Sequence, residues 1–90
     1  MLERLKYIVY EKDGCVESLM FPSLYGHDEM ARRMSADKVL GAGFCKPKVN
    51  DDGMMSIVCY GGSISLNIES RGNSDSMRVT LDHFGLDYEL

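Results

Sequence analysis

Lys6-Tyr7-Ile8-Val9-Tyr10, rich in aromatic and β-branched residues, is separated from a second run, Cys15-Val16-Glu17-Ser18-Leu19-Met20-Phe21, by Glu11-Lys12-Asp13-Gly14. Asp-Gly readily takes the positive φ values that a two-residue connection requires, so the segment predicts an antiparallel β-hairpin. Pro22 has no backbone N–H to give to a ladder and closes the second strand. No other feature of the chain restricts its fold as strongly.

The elements that follow must cover this hairpin. In His27-Asp28-Glu29-Met30-Ala31-Arg32-Arg33-Met34, Met30 and Met34 share a face with Ala31, which predicts a short helix held by packing. Acids at its start and arginines at its end suit the helix dipole. Lys38 to Cys45 reads as a third strand, with Gly41 and Gly43 on one face. Two bare positions in a strand imply a close approach there, and a crossing helix is the expected occupant. Pro47 suggests a strand end, Asn50-Asp51-Asp52-Gly53 a turn, and Met54 to Tyr60 a fourth strand. Ser63 to Ser70 alternates, with Ile64, Leu66 and Ile68 on the predicted core face and Ser65 and Asn67 on the wet face.

The last segment fits two periods. Met77, Val79 and Leu81 alternate as in a strand, whereas Met77, Leu81 and Phe84 recur at helical spacing. Asn73-Ser74-Asp75 offers an N-cap with an acidic first turn, and Gly85 a C-cap, which favours a helix over about residues 75–84. The expected fold is one α+β domain over residues 1–90, with a mainly antiparallel sheet of about five strands and two short helices, in the order ββαβββα.

Chemistry-bearing motifs are scarce. His27 and His83 are the only histidines, and no Ser or Cys stands in a nucleophile motif, so no catalytic residue is assigned. Cys15, Cys45 and Cys59 have no ligand spacing and read as buried, reduced thiols. His27 near a helix start reads as a cap or a solvent-facing residue. The Asn50–Gly53 segment lacks the further acidic ligands a calcium loop requires, and Gly61-Gly62-Ser63 precedes a strand and not a helix. No metal and no cofactor are expected. With 14 acids against 10 bases the chain carries a net charge of −4, which disfavours direct nucleic-acid binding. It shows no targeting segment and no membrane-length apolar run, so a cytoplasmic setting is expected.

What remains is a protein-binding surface. Seven methionines are many for 90 residues. Met30, Met34, Met55 and Met77 fall on predicted core faces, whereas Met20, Met54, Tyr7, Tyr10, Tyr25 and Tyr60 are harder to place in a small core. Met and Tyr also make good contact surfaces. Residues 49–70 contain Asp51, Asp52 and Glu69 without Lys or Arg, and acids recur at Asp75, Asp82, Asp87 and Glu89. The expected site has Tyr60 at its centre and Asp51 and Asp52 at its rim, facing a basic partner such as a nucleic-acid-handling protein. An open sheet edge offers a different reading, a structural homo-oligomeric module. A small-molecule-binding domain ranks below both, for want of clustered titratable groups.

Lys6-Tyr7-Ile8-Val9, Phe21-Pro22, His27 through Met30-Ala31, Val39 through Phe44, and Cys59-Tyr60-Gly61 through Ser65-Leu66 together resemble small uncharacterised bacteriophage and prophage proteins. The resemblance spans most of residues 6–71 and carries no catalytic signature. It implies a phage accessory protein acting in the bacterial host cytoplasm, a class that includes anti-CRISPR and other anti-defence inhibitors. It implies no particular functional residues.

Overall fold

The computed structural model describes residues 4–84. They form an α+β fold of strands β1 (Leu5–Lys12), β2 (Cys15–Pro22), helix α1 (His27–Arg33), β3 (Lys38–Val49), β4 (Met55–Tyr60), β5 (Gly62–Ser63), β6 (Ile68–Glu69) and helix α2 (Asn73–Phe84). The principal sheet has four antiparallel strands in the order β2-β1-β3-β4, and β5 and β6 pair separately. The expected hairpin is present, with Asp13 at φ 52° and Gly14 at φ 83° between β1 and β2. Helix α2 begins two residues earlier than expected, and the C-cap expected at Gly85 lies outside the described residues, as do Asp87 and Glu89.

β1 is flanked on both edges and covered on both faces, so Tyr7, Ile8, Val9 and Tyr10 are all buried. Alternation sends Tyr7 and Val9 to the face under α2, with Cys45, Ile57, Cys59 and Val79. Ile8 and Tyr10 face α1 with Phe21 and Ala42, joined by Met30, Met34, Leu66 and Ile68. Tyr7 and Tyr10 are thus core residues and not surplus surface aromatics. Met55 and Met77, expected inside, are exposed instead, as is Cys15.

Beneath α2 lies a buried charge. Asp75 is 0% exposed. Its Oδ2 accepts from the Tyr7 hydroxyl at 2.6 Å and from the Arg71 backbone N–H at 2.9 Å. Its Oδ1 accepts from Arg71 Nε at 2.9 Å. A buried carboxylate is tolerable only with such donors around it. Ser70 Oγ stands 2.6 Å from the Tyr7 oxygen and accepts the Gly72 N–H at 3.1 Å, tying the turn before α2 into the same network. Gly41 makes the space: a Cβ there would lie 2.1 Å from Asp75 Oδ2. The close approach implied by Gly41 is therefore made by α2. At Gly43 it is made by the main chain, where a Cβ would lie 2.4 Å from the Tyr60 carbonyl oxygen.

The alternating run at 63–70 departs from expectation. It is not a fifth strand of the main sheet but a tight hairpin whose two-residue strands flank a turn, with Asn67 N–H donating to the Ile64 carbonyl at 3.2 Å. Ile64, expected in the core, is 99% exposed. The physical reason lies on β4. The outer N–H of Ile57 donates to Thr80 Oγ1 at 2.9 Å, and that of Cys59 to Ser76 Oγ at 2.8 Å. Hydroxyls of α2 occupy the edge on which a fifth strand would pair, so the run folds back on itself. Leu66 and Ile68 still reach the α1-side core, while Ser65 and Asn67 are exposed as expected.

Gly41→Ala should cost about 2 kcal/mol or more, since the new methyl collides with a buried carboxylate held in place by Tyr7 and Arg71. In an Asp75→Ala background the same change should cost at least about 1 kcal/mol less. Urea melts of the two single variants and the double variant measure this coupling, and additive costs would contradict the packing described.

Candidate functional site

On the α1 side of the sheet, cover from α1 and the 62–69 hairpin reaches Val39 and Ala42 of β3. Beyond them the face opens. Period-two alternation puts Phe44, Lys46 and Lys48 of β3 on this face, opposite Tyr60, Val58 and Ser56 of β4. Phe44 and Tyr60 are cross-strand partners, stacked with ring centroids 6.1 Å apart and planes 29° apart. Stacked and offset aromatic pairs are favourable beyond the area they bury. Tyr60 is 38% exposed. The Arg4 guanidinium carbon lies 5.0 Å from the Phe44 ring centre, and Lys46 Nζ lies 5.9 Å from that of Tyr60. Both distances fall within cation–π range.

His27 anchors the inner end of this row. It is buried, edge-on to Phe21 at 5.7 Å and to Phe44 at 6.1 Å, with Nε2 2.8 Å from the Gly43 carbonyl oxygen. A carbonyl can only accept, so Nε2 carries the proton and donates. His27 is therefore neither a helix cap nor a solvent-facing residue. Burial is the main cause that lowers its pKa below the ordinary 6.5, with Lys6 acting the same way, while the Gly43 carbonyl opposes both. Beside it, a shallow cleft of about 280 Å³ runs between His27, Asp28 and Phe44 and the loop of Ile64 and Ser65. Ile64 thus projects into solvent next to the aromatic pair.

The structure separates the residues expected to act together. Asp51 and Asp52 lie in the exposed turn between β3 and β4, held by Gly53 N–H to the Asn50 carbonyl and Met54 N–H to Asp52 Oδ1, both at 2.9 Å. Tyr60 is at the far end of β4, roughly 17 Å away at the usual rise per residue. Lys46 and Lys48 stand on the face between them. Tyr60 therefore has Lys46 as its charged neighbour across the strands in place of the Asp51–Asp52 turn. Sequence reasoning singled out Tyr60 but missed Phe44, Arg4, Lys46 and Ile64. Lys46 and Phe44 could have been found from the alternation of β3, had its partner register been known.

Cys45 and Cys59 face each other across β3 and β4 and are buried and reduced. Burial pushes the Cys45 thiol up to about 11 and the Cys59 thiol up to about 12, so both stay protonated near neutral pH. Among the described residues no three His, Cys, Asp or Glu side chains converge as a metal site would require. No helix among them is long and apolar enough to cross a membrane. The chain matches no family model, and no curated protein or solved structure matches it.

His27 gives the fold a pH dependence of definite sign. The unfolded chain takes up a proton near 6.5, whereas native His27 resists it to lower pH. Between those values the unfolded state binds more protons, so stability is full above the unfolded pKa and falls as pH drops through the window. Urea midpoints should be lower at about pH 5.5 than at about pH 7.5, and His27→Gln should reduce that difference.

Proposed function

We propose that this domain is a non-enzymatic protein-binding module that meets its partner with the open face of β3 and β4. The stacked Phe44–Tyr60 pair, half-open to solvent and overlaid by Arg4 and Lys46, carries the reading. Aromatic residues in a partly apolar patch with a charged rim are the usual centre of a protein contact. Fully exposed Ile64 adds an apolar side chain that would leave water on binding. Arg4, Lys46 and Lys48 complement an acidic segment of the partner, in contrast to the basic partner that the Asp51–Asp52 turn suggested. The likeness to phage accessory proteins supports a host protein as that partner, with inhibition of a defence protein as the sharpest form of the proposal.

The test compares variants of tagged, full-length protein in host lysate, followed by kinetics on the captured partner. Tyr60→Ala should weaken binding about 30-fold, mainly through faster dissociation. Lys46→Glu combined with Lys48→Glu should slow association, whereas Asp51→Lys with Asp52→Lys should leave capture in place. Capture indifferent to Tyr60→Ala, or tight binding of single-stranded oligonucleotides to this face at physiological salt, would overturn the proposal.

A further inference from the structure

The two outer edges of the main sheet are treated differently. On β4, hydroxyls of α2 take the outward N–H groups of Ile57 and Cys59. On β2, the outward groups can be read from the hairpin. Its two-residue connection makes Lys12–Cys15 a hydrogen-bonded pair, and the antiparallel ladder then alternates through Tyr10–Glu17, Ile8–Leu19 and Lys6–Phe21. The backbone N–H and C=O groups of Val16, Ser18 and Met20 therefore point away from β1. Among the described residues no backbone group pairs with them. The strand also lacks the usual guards of an open edge, for Glu17 is its only charged residue and Pro22 stands at its end.

We propose that β2 pairs antiparallel with β2 of a second copy, about a two-fold axis through Ser18, joining two four-stranded sheets into one. The strand's own chemistry selects this register. An axis through Glu17 would set two like charges directly opposite each other, which destabilises a pair. An axis through Leu19 or Met20 would draw Pro22, with no N–H, into an outward-bonding position of the ladder. An axis through Ser18 overlaps Cys15–Phe21 completely and leaves Pro22 beyond the last pair. It sets Val16 against Met20 and Glu17 against Leu19 of the second copy, so no charge faces its like. Val16 is exposed in the single chain and would be covered.

The ground beside this axis is prepared for a neighbour. Ser18 Oγ donates to Asp82 Oδ2 at 2.7 Å, and Asp82 is paired with Arg78, so the acid next to the axis is neutralised. Arg78 Nε is buried and has no hydrogen-bond partner among the described residues, one donor left over near the junction. β2 and β4 are opposite edges of the sheet, so pairing through β2 leaves both open β3–β4 faces clear.

The experiment is site-specific cross-linking of the full-length chain under mild oxidation by diamide, in a Cys15→Ser background. Ser18→Cys should form a covalent dimer, because the two copies of residue 18 meet with Cα atoms within disulfide reach. Glu17→Cys should not, since its two copies are offset along the strand beyond about 7 Å. Sedimentation velocity of the unmodified protein should show a concentration-dependent dimer, and Ser18→Lys should weaken it roughly tenfold with an unchanged circular dichroism spectrum. A wild-type chain that stays monomeric at high micromolar concentration, or cross-linking through residue 17 in place of residue 18, would overturn the proposal. These readouts need no binding partner, so they stand or fall independently of the function proposed for the β3–β4 face.

Discussion

The carboxylate of Asp75 is the feature on which the remaining structure depends. An unpartnered carboxylate in a protein interior is very costly, and this one is completely enclosed. It survives because the Tyr7 hydroxyl and two groups of Arg71 converge on it, and because β3 has no side chain at Gly41. Burial and the neighbouring carboxylate both raise the Tyr7 pKa, which keeps that phenol a donor. Seating Asp75 sets the position of α2. With α2 in place, Ser76 and Thr80 reach the edge of β4, Val79 enters the core, and the 62–69 run is left to fold on itself.

What could be read from the chain was chemistry confined to neighbours. Asp13-Gly14 specifies its turn locally, and the α2 sequence supplies its own acidic start and helical apolar spacing. Gly41 and Gly43 signalled a close approach correctly, because a missing side chain has few other uses in a strand. The run at 63–70 misled for a physical reason: alternation indicates a strand only where an edge is free, and here that edge is filled by the hydroxyls of Ser76 and Thr80, which follow the run in the next element. His27 and the two tyrosines of β1 were missed in the same way. Nothing adjacent to Tyr7 announces that an acid at position 75 will receive its hydroxyl.

The candidate site shows the same division. Tyr60 could be picked out as an aromatic without an obvious place in the core, and Asp51 and Asp52 as turn acids. Their relation could not, since it depends on β4 running straight between them. Nor could the cations over the Phe44–Tyr60 pair, because Arg4 and Lys46 come from distant parts of the chain and meet the two rings only through the fold. An acidic protein can thus carry a locally basic face, and net charge alone is a poor guide to what such a face will attract.

The bond between Tyr7 and Asp75 joins positions 68 apart in a chain of 90 residues. During synthesis the first hairpin leaves the ribosome long before α2 exists, and Tyr7 and Val9 then have no cover on that face. The domain cannot complete this core until α2 has been made. Long-range closure of this kind slows folding relative to a bundle of local contacts, and leaves an apolar hairpin for chaperones to shield meanwhile. A nascent chain stalled before residue 75 would therefore hold its secondary structure only in part, with the central strand still open on one side.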